Sequence, residues 1–321
     1  MKQIKVIENR SEIGAGTRGA SLGIDALKVA SLNQKSDFFN RYSSLKVKDR
    51  NELLFQSVKT PTAIRIEGIR EVYENVANAV QGVLKEENFP IVLAADHASA
   101  GGTIAGIKMA YPNKRLGVIW IDAHGDLHSP YTSPTGNVHG MPLATALNED
   151  NVANKVKEPS EEALKHWNAM KELGGLSPKI EAEDLIFFGV RDTESPEDSL
   201  MKKKGIKNYT VAECRKKGMK QAVEEALNQL KDCDMLYISF DVDSMDSEKV
   251  SKGTGTPVPN GFMPDEALTI IKTLLESNKV SCFEMVEVNP TLDNKANAMA
   301  ETAFEILNET AVSIEKQLEH E

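Results

Sequence analysis

Five short apolar runs punctuate the chain: Ile91–Ala95, Leu116–Ile121, Leu185–Val190, Met235–Phe240 and Cys282–Val288. Each is too short for an ordinary helix, and most are continuous rather than alternating, which suits parallel strands covered on both faces. Helix-like segments lie between them. Ala63–Glu86 carries Ile64, Ile69, Val72, Val76, Val80 and Val83 at helical spacing, and Lys220–Asp232, Pro264–Ser277 and Ala296–Leu318 follow the same period, with Pro264 placed for a first helical turn. Strand alternating with helix predicts an α/β fold, a single domain over 1–321 with a mostly parallel central sheet and helices on both faces. Asn148–Glu183 is polar and loop-rich, with room for one helix at Glu161–Leu173, and reads as an insertion. No internal repeat or linker is apparent.

Composition narrows the partners. Lys+Arg 38 against Asp+Glu 48 leaves a net charge of −10 over 321 residues, so neither nucleic acid nor an anionic membrane is expected as the main partner. Cys214, Cys233 and Cys282 contain no CxxC, which excludes a disulfide framework or a thiolate zinc site. The opening MKQIKVIENRSE lacks the apolar core of a signal peptide and no stretch is long enough to span a membrane, so a soluble, cytoplasmic protein is expected. The Gly-rich stretch Ile13–Gly23 fits GxGxxG only loosely through Gly14, Gly16 and Gly19, with Asp37 as a distant acid. The first strand, Ile4–Ile7, ends well before those glycines, so a loop bordering some other site is the better reading.

The residues just after the apolar runs carry the chemistry. Ile91–Ala95 is followed by Asp96-His97, Leu116–Ile121 by Asp122-Ala-His124-Gly-Asp126-Leu-His128, and Met235–Phe240 by Asp241-Val-Asp243; the fifth run holds Glu287 before Asn289-Pro290. Ligands of open parallel sheets bind beyond the carboxyl ends of the strands, so these groups can converge. In an extended chain alternate residues share a side, which groups Asp122, His124 and Asp126, and likewise Asp241 and Asp243. Crowded aspartates repel unless a cation sits among them. Carboxylate and imidazole without thiolate favour manganese or a similar ion over structural zinc. Two such ions about 3.5–4 Å apart can share a hydroxide able to attack at neutral pH.

Taken singly, the pieces are ordinary. A lone His97 fits a helix start or core histidine, His139 in its Gly/Asn/Pro-rich loop fits a solvated one, and His166 and His320 read as surface groups. Asp246 suits a turn, and Arg191-Asp192 suits a salt bridge. Only DxHxD together with a distant DxD, both directly after apolar runs, makes the metal reading strong.

These residues resemble the ureohydrolase family of arginase, agmatinase, formimidoylglutamase and relatives, with arginase the nearest in look. The resemblance runs from Ile4 to Leu307. It rests, in family order, on Trp120–Asp126 (WIDAHGD), Pro134–Pro142 (PTGNVHGMP), Ser239–Asp243 (SFDVD), Thr254–Pro257 (TGTP) and Glu287–Pro290 (EVNP). It implies a three-layer sandwich, assembly as a trimer or hexamer, a small guanidino substrate and two Mn2+ per chain. One ion would take His97, Asp122, Asp126 and Asp241, and the other Asp122, His124, Asp241 and Asp243. A hydroxide between them, oriented by Asp126, would attack the guanidinium carbon. Glu287 would pair with the guanidinium, and His139 would shuttle a proton to the leaving amine. Substrate contacts are implied for His128, Thr135, Asn137, Asp192, Glu194 and Thr256.

The chain also departs from the family pattern. Ala94-Ala95-Asp96-His97-Ala98 replaces GGDHS, His128 replaces an asparagine, Thr135 a serine, and Arg191-Asp192-Thr193-Glu194 replaces RDVD. None of these removes a metal ligand. The expectation is an enzyme converting L-arginine to L-ornithine and urea, with the α-carboxylate near His128 and Thr135 and the α-ammonium near Glu194. Agmatine, guanidinobutyrate or formiminoglutamate as substrate is the alternative reading, and an inactive metal-binding scaffold a remote one.

Overall fold

A computed structural model describes residues 2–319. The strands are β1 (Ile4–Asn9), β2 (Ser43–Val47), β3 (Phe89–Ala94), β4 (Leu116–Ile121), β5 (Leu185–Phe188), β6 (Lys207–Tyr209), β7 (Met235–Asp241) and β8 (Val280–Val286). All pair in parallel in one sheet ordered β2-β1-β3-β8-β7-β4-β5-β6. The helices are α1 (Gly23–Asn33), α2 (Phe38–Arg41), α3 (Ile66–Lys85), α4 (Ala100–Ala110), α5 (Pro142–Ala146), α6 (Glu161–Lys171), α7 (Ser195–Lys204), α8 (Val211–Lys217), α9 (Met219–Gln229), α10 (Pro264–Leu275) and α11 (Ala298–Glu319). The five apolar runs are strands as expected, with ends shifted by a residue or two; Cys282–Val288 shifts back to Val280–Val286.

Alternation along each strand divides the core into two layers. Ile119, Ile121, Ile186, Phe188, Ile238 and Phe240 pack with α1, α2 and α8–α11 on one face. Val118, Trp120, Leu185, Phe187 and Tyr237 pack with α3–α7 on the other. Both faces of the central strands are buried, so those strands are apolar at most positions. The expected insertion is part of this second layer: Trp167 of α6 is fully buried, and its Nε1–H and the Lys171 ammonium both donate to Asp150 at 2.6 Å. Among the described residues no helix is long and apolar enough to cross a membrane.

Helices α3 and α4 approach closely because α4 presents glycines. A Cβ on Gly106 would lie 2.5 Å from the Ala77 carbonyl oxygen, whereas one on Gly82, late in α3, would meet nothing within 4 Å. Gly106→Val is therefore expected to cost about 1–3 kcal/mol by overpacking. Gly82→Ala should instead gain up to about 1 kcal/mol from helix propensity. Urea unfolding midpoints of the two variants should move in opposite directions.

Candidate metal centre

The four strands that carry the acidic and imidazole groups are neighbours, β3-β8-β7-β4, at the centre of the sheet. Ala94 stands opposite Val286 and Val286 opposite Asp241, while Ile121 stands opposite Phe240. Asp122 thus leaves β4 level with Asp241, and Asp96-His97 leaves β3 just beyond Val286, the end of β8.

His97 lies at the focus. Its Nδ1 is 3.0 Å from Asp122 Oδ2, 3.1 Å from Asp126 Oδ2 and 3.2 Å from Asp241 Oδ2. Beside it, His124 Nδ1 is 3.0 Å from Asp243 Oδ2 and 3.4 Å from Asp122 Oδ1. Asp122 belongs to both groups. The convergence comes from turns and not from the extended chain expected from the sequence. Asp126 has φ +50°, the Asp122 carboxylate accepts from His124 N at 2.7 Å, and the Asp241 carboxylate accepts from Asp243 N at 2.8 Å. Aspartates favour such turns because their side chains reach the backbone two residues on.

These residues fit a pair of divalent cations. His97 Nδ1 and Asp122 Oδ2 are buried without a hydrogen-bond partner although carboxylate oxygens crowd Nδ1, as lone pairs aimed at a common ion would be. His97 Nε2 lies 2.7 Å from Ser239 Oγ; donation there leaves Nδ1 free to ligate, the usual outer-shell arrangement of a metal histidine. The ring also stacks on Trp120, centroids 4.1 Å apart. Burial, then Asp243 and Asp122, holds the Asp241 carboxyl well above the usual range. Burial and Asp122 raise Asp126 too. Burial alone would lower His97, yet Asp122, Asp126 and Asp241 hold it well above its ordinary value. Without a cation this cluster must hold extra protons.

Above the clusters opens a cavity of about 250 Å³ lined by His124, Asp126, His128, Thr135, Asn137, His139, Asp192, Glu194 and Thr256 among others. Glu287 is buried just outside that lining, with φ +68°. One of its oxygens accepts from His97 N at 2.9 Å and lies 3.2 Å from His139 Nδ1, while the other has no partner. Thr256 Oγ1 donates to Asp243 Oδ2 at 3.0 Å. The Gly-rich loop does border the site: Gly16 and Thr17 line the cavity. Gly14 N donates to Asp96 and Gly14 O accepts from His139 N.

His128 is engaged at both ring nitrogens, with Glu194 at 2.8 Å and Thr132 at 3.1 Å. The expected Arg191–Asp192 salt bridge is absent. Arg191 instead donates to the carbonyls of Gly189, Asp243, Val258 and Pro259, which pins the Asp243 turn. Asp192 is exposed, 3.7 Å from His124 Nε2. Asp246 is a turn carboxylate, accepting from Glu248 N and Lys249 N. His166 is half-buried on α6, and His320 lies outside the described residues. Sequence reasoning missed Glu197. It is buried in the cavity wall and accepts from Leu127 N and Glu194 N, and burial pushes its carboxyl up to about 7. Its signal is an acid three residues after Glu194 at the start of a helix, the spacing of a capping box.

A central parallel sheet with paired His/Asp clusters at its carboxyl edge makes a centre that could hold a pair of metal ions, and comparison with known proteins gives the family. Residues 3–312 match the arginase family. The chain is 34% identical to the arginase of Bacillus subtilis (strain 168) over 310 residues, covering 95% of this chain and 96% of that one. It is 33% identical to the arginase of Bacillus caldovelox over 314 residues, covering 96% and 97%. The native crystal structure of the Bacillus caldovelox arginase superposes with a TM-score of 0.81, covering 97% of this chain and 98% of that one. The chain belongs to the arginase family, whose members are hydrolases of C–N bonds in guanidino compounds.

The two clusters generate a metal-content prediction. His124→Ala or Asp243→Ala is expected to reduce bound divalent metal from two ions per chain to about one, with a folded circular dichroism spectrum and turnover lower by orders of magnitude. Elemental analysis checks it; two tightly bound ions in either variant would remove His124 and Asp243 as ligands. Binding should also release protons, so metal affinity is expected to weaken as pH falls.

Proposed function

We propose that this centre binds two Mn2+ ions and hydrolyses the guanidinium group of L-arginine, giving L-ornithine and urea. The observation that carries the reading is the His97 backbone N–H, which ties the Glu287 carboxylate, just behind the cavity lining, to the cluster around the His97 ring. A guanidinium held by that carboxylate would stand beside the His97 cluster. The first ion is assigned to His97, Asp122, Asp126 and Asp241, and the second to Asp122, His124, Asp241 and Asp243. Bound there, the ions supply a water acidic enough to attack at neutral pH.

The chain's own groups do the rest. Asp126, 6% exposed and at the cavity wall, accepts a hydrogen bond from the attacking water and orients it. The unpartnered Glu287 oxygen receives the guanidinium N–H groups, a charge-assisted contact. Burial would lower the His139 imidazole, but Glu287 beside it raises it above its ordinary value, so it holds a proton for the leaving amine. Thr256 braces Asp243 rather than standing free. Thr135 and Asn137 offer neutral donors to the α-carboxylate, and Asp192 and Glu194 offer carboxylates to the α-ammonium. The same reading makes the protein a cytoplasmic homo-oligomer, a trimer or hexamer.

One observation favours a second substrate. Among the described residues no lysine or arginine lines the cavity, while Asp192, Glu194 and Glu197 do, a balance that also suits agmatine, which carries an ammonium and no carboxylate. Urea release from L-arginine, agmatine and guanidinobutyrate with added Mn2+ decides. L-arginine should lead agmatine in kcat/KM by about tenfold or more, since lost polar contacts at a site rim discriminate modestly. A ratio at or below one moves the assignment to an amine-terminated guanidine, and no urea from any of them leaves a metal-binding scaffold. His139→Asn should lower kcat by about 10²–10⁴-fold with metal content unchanged. Turnover near the parent's in imidazole-free buffer would reject the proton role.

A further inference from the structure

The two positions where the site departs most in chemistry from its family, 128 and 194, touch each other. His128 Nε2 lies 2.8 Å from Glu194 Oε2. A carboxylate only accepts, so that nitrogen carries a hydrogen. Thr132 Oγ1, 3.1 Å from Nδ1, already accepts the Ser129 N–H at 2.9 Å, which leaves its own hydrogen for Nδ1. The relay from Ser129 through Thr132 and His128 to Glu194 satisfies both ring nitrogens. The His128 side chain is 8% exposed, whereas the Glu194 side chain is 54% exposed at the cavity mouth. His128 has no donor left for a substrate carboxylate, and the group it presents to the cavity is the carboxylate it holds.

We propose that His128 is a positioning residue that does not touch substrate. It fixes the Glu194 carboxylate for the ammonium of an amine-bearing guanidine, and the two residues select substrate as one coupled unit. An exposed glutamate otherwise samples many rotamers, and binding has to order it. The buried ring removes that cost beforehand. Reach explains the pairing: an asparagine at 128 ends short of where the Nε2 of an imidazole stands, and an aspartate at 194 is one methylene shorter than glutamate. A change at either position alone breaks the contact.

The catalytic arm of the test rests on the guanidine-hydrolase reading. It uses the manganese-loaded full chain with L-arginine, agmatine and guanidinobutyrate, which has a carboxylate and no amine. His128→Asn is expected to raise KM about tenfold for L-arginine and agmatine, with kcat within about twofold, and to leave guanidinobutyrate unchanged. Glu194→Gln should give the same pattern, and the double variant should cost little more than either single one, as coupled partners do. Loss on L-arginine and guanidinobutyrate with agmatine spared would overturn the proposal, because His128 would then read the carboxylate itself. Equal loss on all three would also overturn it. A second arm needs no turnover. In ¹⁵N spectra of labelled histidines, His128 should appear as the Nε2–H tautomer and shift in Glu194→Gln but not in Asp192→Asn. A His128 signal indifferent to Glu194→Gln would break the pair, whereas failure of the parent to release urea with this shift intact would remove only the assigned reaction.

Discussion

Burial of four aspartates within reach of two imidazoles is the constraint on which the rest of this molecule depends. Asp122, Asp126, Asp241 and Asp243 are each at most 6% exposed, and no lysine or arginine among the described residues lines the cavity they adjoin. Removing one charged carboxylate from water is costly, and gathering four multiplies the cost unless positive charge enters among them. Divalent ions would meet that need, and the sheet brings together the side chains that could hold them. Its four central strands end side by side, so the turns that carry the ligand residues start close together. Ser239 and Trp120 hold the His97 ring from two sides, and Arg191 pins the backbone of the Asp243 turn. Left-handed backbone at Asp126 and Glu287 shows the same demand: both residues adopt conformations that side chains disfavour, at the two places where a carboxylate must turn back toward the cluster.

This constraint also explains what the sequence discloses. Central strands such as Leu116–Ile121 are covered on both faces and must be apolar throughout, so they stand out. Edge strands β2 and β6 carry no such mark. Ser43–Leu45 and Lys46 are exposed and Lys207–Asn208 only half-buried, so their residues read as loop. Helix α4, AGGTIAGIKMA, is buried nearly all round against α3 and shows no apolar stripe, and α1 is similarly weakly patterned. Helix α3, with one face in the core and one in water, was legible to within three residues at its start and one at its end.

The site divides in the same way. Metal-type residues were legible because they come directly after strands at short spacing, but their geometry was not. DxHxD and DxD suggested an extended ladder, whereas the ligands are brought together by turns in which Asp122 and Asp241 each accept a downstream N–H. Arg191 likewise looked like a partner for its neighbour Asp192. Its guanidinium turns inward to carbonyl oxygens, and those of Asp243, Val258 and Pro259 come from segments more than 50 residues away that no spacing rule could supply.

The departures from the family pattern at 128, 135 and 194 lie at the cavity for an energetic reason, whereas those at Ala94, Ala95 and Ala98 are buried but carry no charge. A ligand aspartate cannot change without leaving its buried neighbours uncompensated, and truncating one partner of a buried charged group typically costs about 3–5 kcal/mol. Glu194 and Thr135 are exposed, so water screens what they do and a substitution there is worth little by itself. His128 is the exception, a buried ring among these exposed groups, and a buried polar ring must find partners for both nitrogens. Thr132 supplies one. The longer carboxylate at 194 supplies the other, so the glutamate answers a need created inside the protein before it answers one posed by the substrate.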